Sequence, residues 1–198
     1  MLLETPRLIL RRLTSDDVDD LVTLDSDPKV MQYINGGVPS TREAIAEEFL
    51  PYAMSYYSRG ENLGFWAIIE QKSDDFIGWI FLRPEIDFKL LQQLNLAEQD
   101  AVELGYRLRR SSWNKGYMTE AARALINKTA KSQIVKINAW ALIENKASTK
   151  VMEKVGLTLQ QEYVVKANAI ADKQLLTNPL VRNLLDRTVV KYQSNKAV

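Results

Sequence analysis

A chain of 198 residues, 46% hydrophobic and 26% charged with a formal net charge of +1, has room for one sizeable core and no global pull toward nucleic acid or anionic membrane. It contains no cysteine and no histidine. That excludes disulfides, thiolate nucleophiles, thiolate and imidazole metal sites, and the Ser-His-Asp and Cys-His hydrolases.

The start, MLLETPRLIL, carries Glu4 and Arg7 among its apolar residues and does not read as a signal peptide. No apolar run reaches the roughly 18 residues that span a bilayer, so a cytoplasmic protein is expected. Residues 6–13 (PRLILRRL) predict a first strand. Ser15, Asp16 and Asp17 suit a helix start, and Val18, Leu21 and Val22 extend it over about 15–25. Asp27-Pro28 begins a short helix toward Tyr33, and 35–39 (NGGVP) is a loop. Ser40 with Glu43 makes a capping box. Ile45, Phe49, Tyr52 and Tyr56 then predict a helix over 41–58, kinked or broken at Pro51.

Residues 64–70 (GFWAIIE) and 76–83 (FIGWIFLR) read as an antiparallel hairpin whose tryptophans, like Trp140, belong to the core. A longer connection, 84–100, contains a short helix. Strand 102–109 alternates cleanly, with Val102, Leu104, Tyr106 and Leu108 opposite Glu103, Arg107 and Arg109. The loop SSWNKGY leads into a helix over about 118–131, then a strand over 134–142 and a helix over about 146–155 that ends at Gly156. Strands over 157–166 and 187–193 close the chain, with a partly helical segment 168–186 between them. The order is that of one α+β domain over 1–198 built on a mixed sheet of about seven strands.

The strand–loop–helix at 102–131 carries the chemistry. A strand feeding a tight loop into a helix start presents unpaired backbone N–H groups that suit phosphate. Asn114 and Gly116 are the residue types that accept left-handed backbone. Arg107, Arg109, Arg110 and Lys115 bring four cations near the loop.

The run VELGYRLRRSSWNKGYMTEAARALI resembles the acetyl-CoA-binding motif of the GNAT superfamily of N-acetyltransferases. Within it, the run looks like the branch of the ribosomal-protein acetyltransferases RimJ and RimL, with its strand EIGY followed by W-G-K-G-Y-(A/M)-T-E-A. Trp113, Lys115, Gly116, Tyr117, Met118, Thr119, Glu120 and Ala121 match, and Asn114 stands where the branch has Gly. ENKASTKVMEKVGL is similar to a second family segment, E-N-x-x-S-x-x-V-x-E-K-x-G-F, through Asn145, Ser148, Val151, Glu153, Lys154 and Gly156. The opening ETPRLILRRLTSDD resembles T-x-R-L-x-L-R. The matches span roughly 4–157 and leave 168–198 outside them.

The resemblance implies a GNAT fold in which parallel strands 102–109 and 134–142 splay around the pantetheine arm. The pyrophosphate would sit on the backbone of 114–119. Acetyl-CoA would be held by Arg107, Leu108, Arg109, Trp113, Asn114, Lys115, Gly116, Tyr117, Met118, Thr119 and Asn145, and no metal is implied. Glu103 is the expected general base, directly or through water. Met152 stands where many members carry a tyrosine acid; the RimL-like branch has a serine three residues after the motif's asparagine, and Ser148, which matches it, is expected to hydrogen-bond or protonate the sulfur. The acceptor is a primary amine: a protein N-terminus, or a small molecule such as an aminoglycoside or polyamine, for which the acidic cluster Glu43, Glu47 and Glu48 is the candidate site. An acyl-CoA-binding module without catalysis is the reading from another class. A homodimer through 168–198 is a further expectation.

Overall fold

Alternating apolar residues and short polar links make strands that pair in sequence until a helix intervenes. In the computed structural model, which describes residues 2–129, 132, 134 and 136–195, eight strands form one mixed sheet in the order β1-β2-β3-β4-β5-β6-β8-β7. In chain order they are β1 (Leu2–Glu4), β2 (Leu8–Arg12), β3 (Gly64–Glu70), β4 (Asp75–Pro84), β5 (Ala101–Leu108), β6 (Lys136–Leu142), β7 (Thr158–Val164) and β8 (Thr188–Asn195). Every pairing is antiparallel except β5 with β6.

The expected count of about seven missed β1. Thr5 closes a turn there: its N–H donates to the Leu8 carbonyl at 2.9 Å, and its Oγ1 accepts from the Leu8 N–H at 3.0 Å. That folds Leu3 back opposite Leu10.

The helices are α1 (Val18–Asp25), α2 (Pro28–Asn35), α3 (Leu50–Ser55), α4 (Lys89–Gln93), α5 (Tyr117–Thr129), α6 (Lys146–Lys154) and α7 (Pro179–Leu184). The expected helix over 41–58 divides. Ala44–Phe49 is a π-helix in which the Leu50 N–H reaches back five residues to the Ile45 carbonyl, and α3 follows. Pro51 explains the change, since it has no N–H to give and its ring crowds the carbonyl four residues back. The end of the expected helix at 130–131 lies outside the described residues.

Both faces of the sheet are covered. Leu8, Leu10, Trp66, Ile68, Ile80, Leu82 and Leu104 pack under α5 and α6, against Met118, Ala122, Leu125 and Met152. Ala67, Ile69, Trp79 and Phe81 pack on the other face under α1, α2 and the 44–58 helices. Trp66 and Trp79 are therefore core, while Trp140 is half-buried and its indole donates to Glu85 at 2.6 Å. The segment 168–186 forms short turns and α7. Its Ile170 and Val181 complete a third core with Leu90, Leu142 and Val189, so these apolar residues are buried within their own chain.

The closed end of the β5–β6 pair is pinned by charge. Lys136 reaches Glu98 at 2.9 Å, Lys191 also pairs with Glu98, and the Glu98 N–H donates to buried Glu85. Partial burial pushes the Glu98 carboxyl up, but the two ammonium groups outweigh it and hold the pKa at about 2. An unfolded glutamate titrates near 4.3. A depressed carboxylate stabilises the fold above its unfolded pKa and loses that contribution as pH falls through its folded pKa. The urea midpoints of wild type and Glu98→Gln should therefore differ at neutral pH and converge between about pH 4.5 and 2. A constant gap across that window would contradict this.

Candidate active site

Among the described residues, strands β5 and β6 pair at three positions, Ala101 with Lys136, Val102 with Ile137 and Glu103 with Asn138. Beyond them each strand keeps only its outer neighbour, β4 or β8. A cavity of about 400 Å³ opens beside this splay. Tyr106, Arg107 and Leu108 of β5 line one side, and Asn145, Ala147, Ser148, Lys150, Val151 and Lys154 of the α6 segment line another. Ser112–Asn114 and Gly116–Thr119 form one end, and Lys29, Val30, Tyr33 and Ile34 of α2 the rest.

The loop between β5 and α5 turns through two left-handed residues, Asn114 at φ 61° and Gly116 at φ 80°. The half-exposed Trp113 anchors it by donating its indole N–H to the Leu108 carbonyl at 2.9 Å. The first N–H groups of α5 have no intrahelical acceptor, and Tyr117, Met118 and Thr119 of that turn line the cavity. This frame suits a phosphate ester.

The opening motif builds the same loop. Thr5 Oγ1 donates to Glu120 at 2.7 Å, Arg7 Nε donates to Glu120 at 2.7 Å, and Arg7 Nη1 donates to the Lys115 carbonyl at 3.0 Å. The Arg7 guanidinium also lies 4.6 Å from the centroid of the Tyr117 ring. Sequence reasoning matched Arg7 and Glu120 to motifs and missed that they hold each other across 113 residues. Arg7→Ala should weaken acetyl-CoA binding about fivefold by loosening the loop, the worth of roughly one hydrogen bond, as calorimetry would read. Unchanged affinity would remove Arg7 from the site.

The cations expected near the loop divide between ion pairs and the cavity. Arg107 pairs with Asp25, Arg109 with Asp20 at 2.6 Å and Arg110 with Asp27 at 3.0 Å. These pairs tie α1 and α2 to β5, because Asp25 is buried and a buried carboxylate needs a partner. Arg109 and Lys115 do not line the cavity. Lys29, Lys150 and Lys154 do, and they carry no ion pair among the described residues. Arg107 lines it, and its buried Nε has no hydrogen-bond partner among the described residues. An anionic, amide-bearing ligand such as acetyl-CoA fits these donors.

Ser148 lies on the cavity wall, where its Oγ is 3.2 Å from Tyr106 Oη. Asn145 caps α6, its Oδ1 accepting from the Ser148 N–H at 3.2 Å. Met152 is buried in the core and contributes nothing to the cavity. Glu103 does not line the cavity either. It is buried, paired with Arg83 at 2.7 Å, and Arg83 in turn donates to Tyr52 at 3.0 Å. Burial pushes its carboxyl above the usual range, Arg83 opposes that, and nearby Glu85 adds to it.

The description of the acetyltransferase (GNAT) domain matches residues 7–158. The chain belongs to the GNAT acetyltransferase family. An uncharacterized N-acetyltransferase, p20, of Bacillus licheniformis is 30% identical over 165 residues, covering 83% of this chain and 85% of that protein. Among solved structures, a RimL ribosomal L7/L12 alpha-N-protein acetyltransferase in complex with coenzyme A superposes with a TM-score of 0.72 at 17% identity, covering 98% of each chain. A ribosomal-protein-S5-alanine acetyltransferase from Vibrio fischeri superposes at 0.71 with 16% identity, covering 100% of this chain and 97% of that one. At such identities the structural likeness shows the GNAT fold. The activity class, an N-acetyltransferase enzyme, rests on the family match and the named relative. No helix among the described residues is long and apolar enough to cross a membrane.

Proposed function

We propose that this enzyme transfers the acetyl group of acetyl-CoA to the α-amine of a protein N-terminus. The observation that carries the reading is the parting of β5 and β6 after three paired positions, with a cavity beside it that ends on the loop 112–119. Backbone N–H groups of that loop and of the α5 start hold the pyrophosphate. The freed edge of β5 offers main-chain groups to the pantetheine amides, and Lys29, Lys150 and Lys154 face the ligand's negative charge.

The neutral amine nitrogen attacks the thioester carbonyl carbon, the C–S bond breaks, and CoA leaves as the thiolate. Glu103, at the last paired position, takes the amine proton through water rather than by contact. Ser148 donates a hydrogen bond to the departing sulfur.

The charged residues lining the cavity are all basic, and Glu43, Glu47 and Glu48 lie away from it. That arrangement favours a single terminal amine over a polycation. The test is acetyl-CoA with equal concentrations of peptides beginning with Ala or Ser, spermidine and an aminoglycoside, read by mass spectrometry. Acetylation on the peptide α-amine is expected. Acetylation confined to spermidine or the aminoglycoside would overturn the choice of acceptor.

A further inference from the structure

We propose that Tyr106 is a positioning residue for the leaving group, holding the Ser148 hydroxyl so that its proton meets the sulfur. The inference rests on the role given to Ser148 above and adds to it a residue with no assigned part in the reaction.

The geometry is specific. Tyr106 Oη donates to the Ser148 carbonyl oxygen at 3.1 Å and lies 3.2 Å from Ser148 Oγ, and both residues line the cavity. The tyrosine is on β5 and the serine in the first turn of α6, on opposite sides of the splay. Asn145 fixes the serine from behind by capping its N–H. A serine hydroxyl has one proton and a free rotor. Alone, it would satisfy itself on a nearby helix carbonyl as readily as on a ligand.

The phenol removes that choice. In the resting pair either hydroxyl can donate to the other. A negative sulfur in the cavity draws the Ser148 proton outward, and the Tyr106 proton turns to Ser148 Oγ to replace it. The phenol keeps its own proton throughout: burial pushes its pKa up, outweighing the opposing hydrogen bond with Ser148. Tyr106 thus orients a donor and is not itself the acid.

The test uses coenzyme A, so it needs no acceptor. The thiol of enzyme-bound CoA is titrated by thiolate ultraviolet absorbance in wild type, Tyr106→Phe, Ser148→Ala and the double variant. Calorimetry checks that CoA stays bound, and thermal unfolding checks the fold, since Phe keeps the ring packing. A hydrogen bond to the thiolate lowers the thiol pKa. The lysines lining the cavity act alike in all four proteins.

Ser148→Ala should reduce the ionisation constant of the bound thiol about tenfold, the worth of one hydrogen bond to a charged group. Tyr106→Phe should reduce it about threefold, and the double variant should match Ser148→Ala, because the tyrosine acts only through the serine. A wild-type constant in Tyr106→Phe, or additive losses in the double variant, would overturn the inference and leave Ser148 in place. A wild-type constant in Ser148→Ala would remove both roles. Failure of the wild type to bind CoA would overturn the proposed function as well.

Discussion

Gly78→Ala is expected to lower the thermal midpoint by roughly 10 °C, or to prevent folding. Gly78 sits on β4 at φ 153°, beside the register shift between Ile68 and Ile69 of β3. A Cβ built there would lie 2.1 Å from the Arg107 carbonyl oxygen and 2.8 Å from the Leu108 Cα. Both are backbone of β5, so no rotamer change relieves the contact. The strained backbone costs about 1–3 kcal/mol, and the overpacking about 1–3 kcal/mol more. At this chain length each kcal/mol shifts the midpoint by about 2–4 °C. The damage falls on the strand that carries Tyr106, Arg107 and Leu108 to the cavity, so CoA binding should fail with the fold. A midpoint within about 1 °C of wild type would show that β4 and β5 do not approach as described.

The second large effect is on the ligand. Gly116→Asp should weaken acetyl-CoA binding by about a hundredfold or more while leaving the protein folded. At φ 80° a residue with a Cβ loses about 1–2 kcal/mol, yet the added atom would meet only the Arg7 guanidinium, at 3.5 Å. The carboxylate would stand in the loop proposed to hold the pyrophosphate, and a close like-charge pair costs several kcal/mol. Gly116→Ala carries the strain without the charge and should lose about tenfold. Calorimetry distinguishes the two. Equal affinities for wild type and the Asp variant would mean that the pyrophosphate does not lie on this loop.

The loop was legible because few residue types accept a left-handed backbone. Asn114 and Gly116 therefore announced their conformation, and the helix after them followed from its apolar spacing. The α5 and α6 segments were legible as motifs for the same reason: helix starts and ends carry local signals. What local signals do not carry is direction. Counting cations near the loop said nothing of α1, whose Asp20 and Asp25, with Asp27 just beyond it, pair with three of the arginines.

The alternation along β5 placed Glu103 opposite Leu104, but its chemistry depends on register. Arg83 is its direct cross-strand partner, and a hairpin read without register cannot show that. Tyr106 looked like one more apolar position in the stripe. Among the described residues its hydroxyl finds its partner in Ser148, 42 residues away. Lys29 and Lys150 lacked any signal beyond charge, and Lys154 was legible as a motif match without its place on the cavity wall. The π-helix before Pro51 and the extra strand at Leu2–Glu4 depend on single turns, where one missing donor or one threonine decides the outcome.

The central claim is that the cavity beside the splay of β5 and β6 binds acetyl-CoA, and thermal unfolding with and without that ligand tests it most directly. A ligand bound only to the native state at a hundredfold excess over Kd adds about 2.7 kcal/mol. For a chain of this size that raises the midpoint by roughly 5–10 °C. The account predicts that rise for wild type and its loss in Gly116→Asp. An unchanged midpoint at millimolar acetyl-CoA would contradict it.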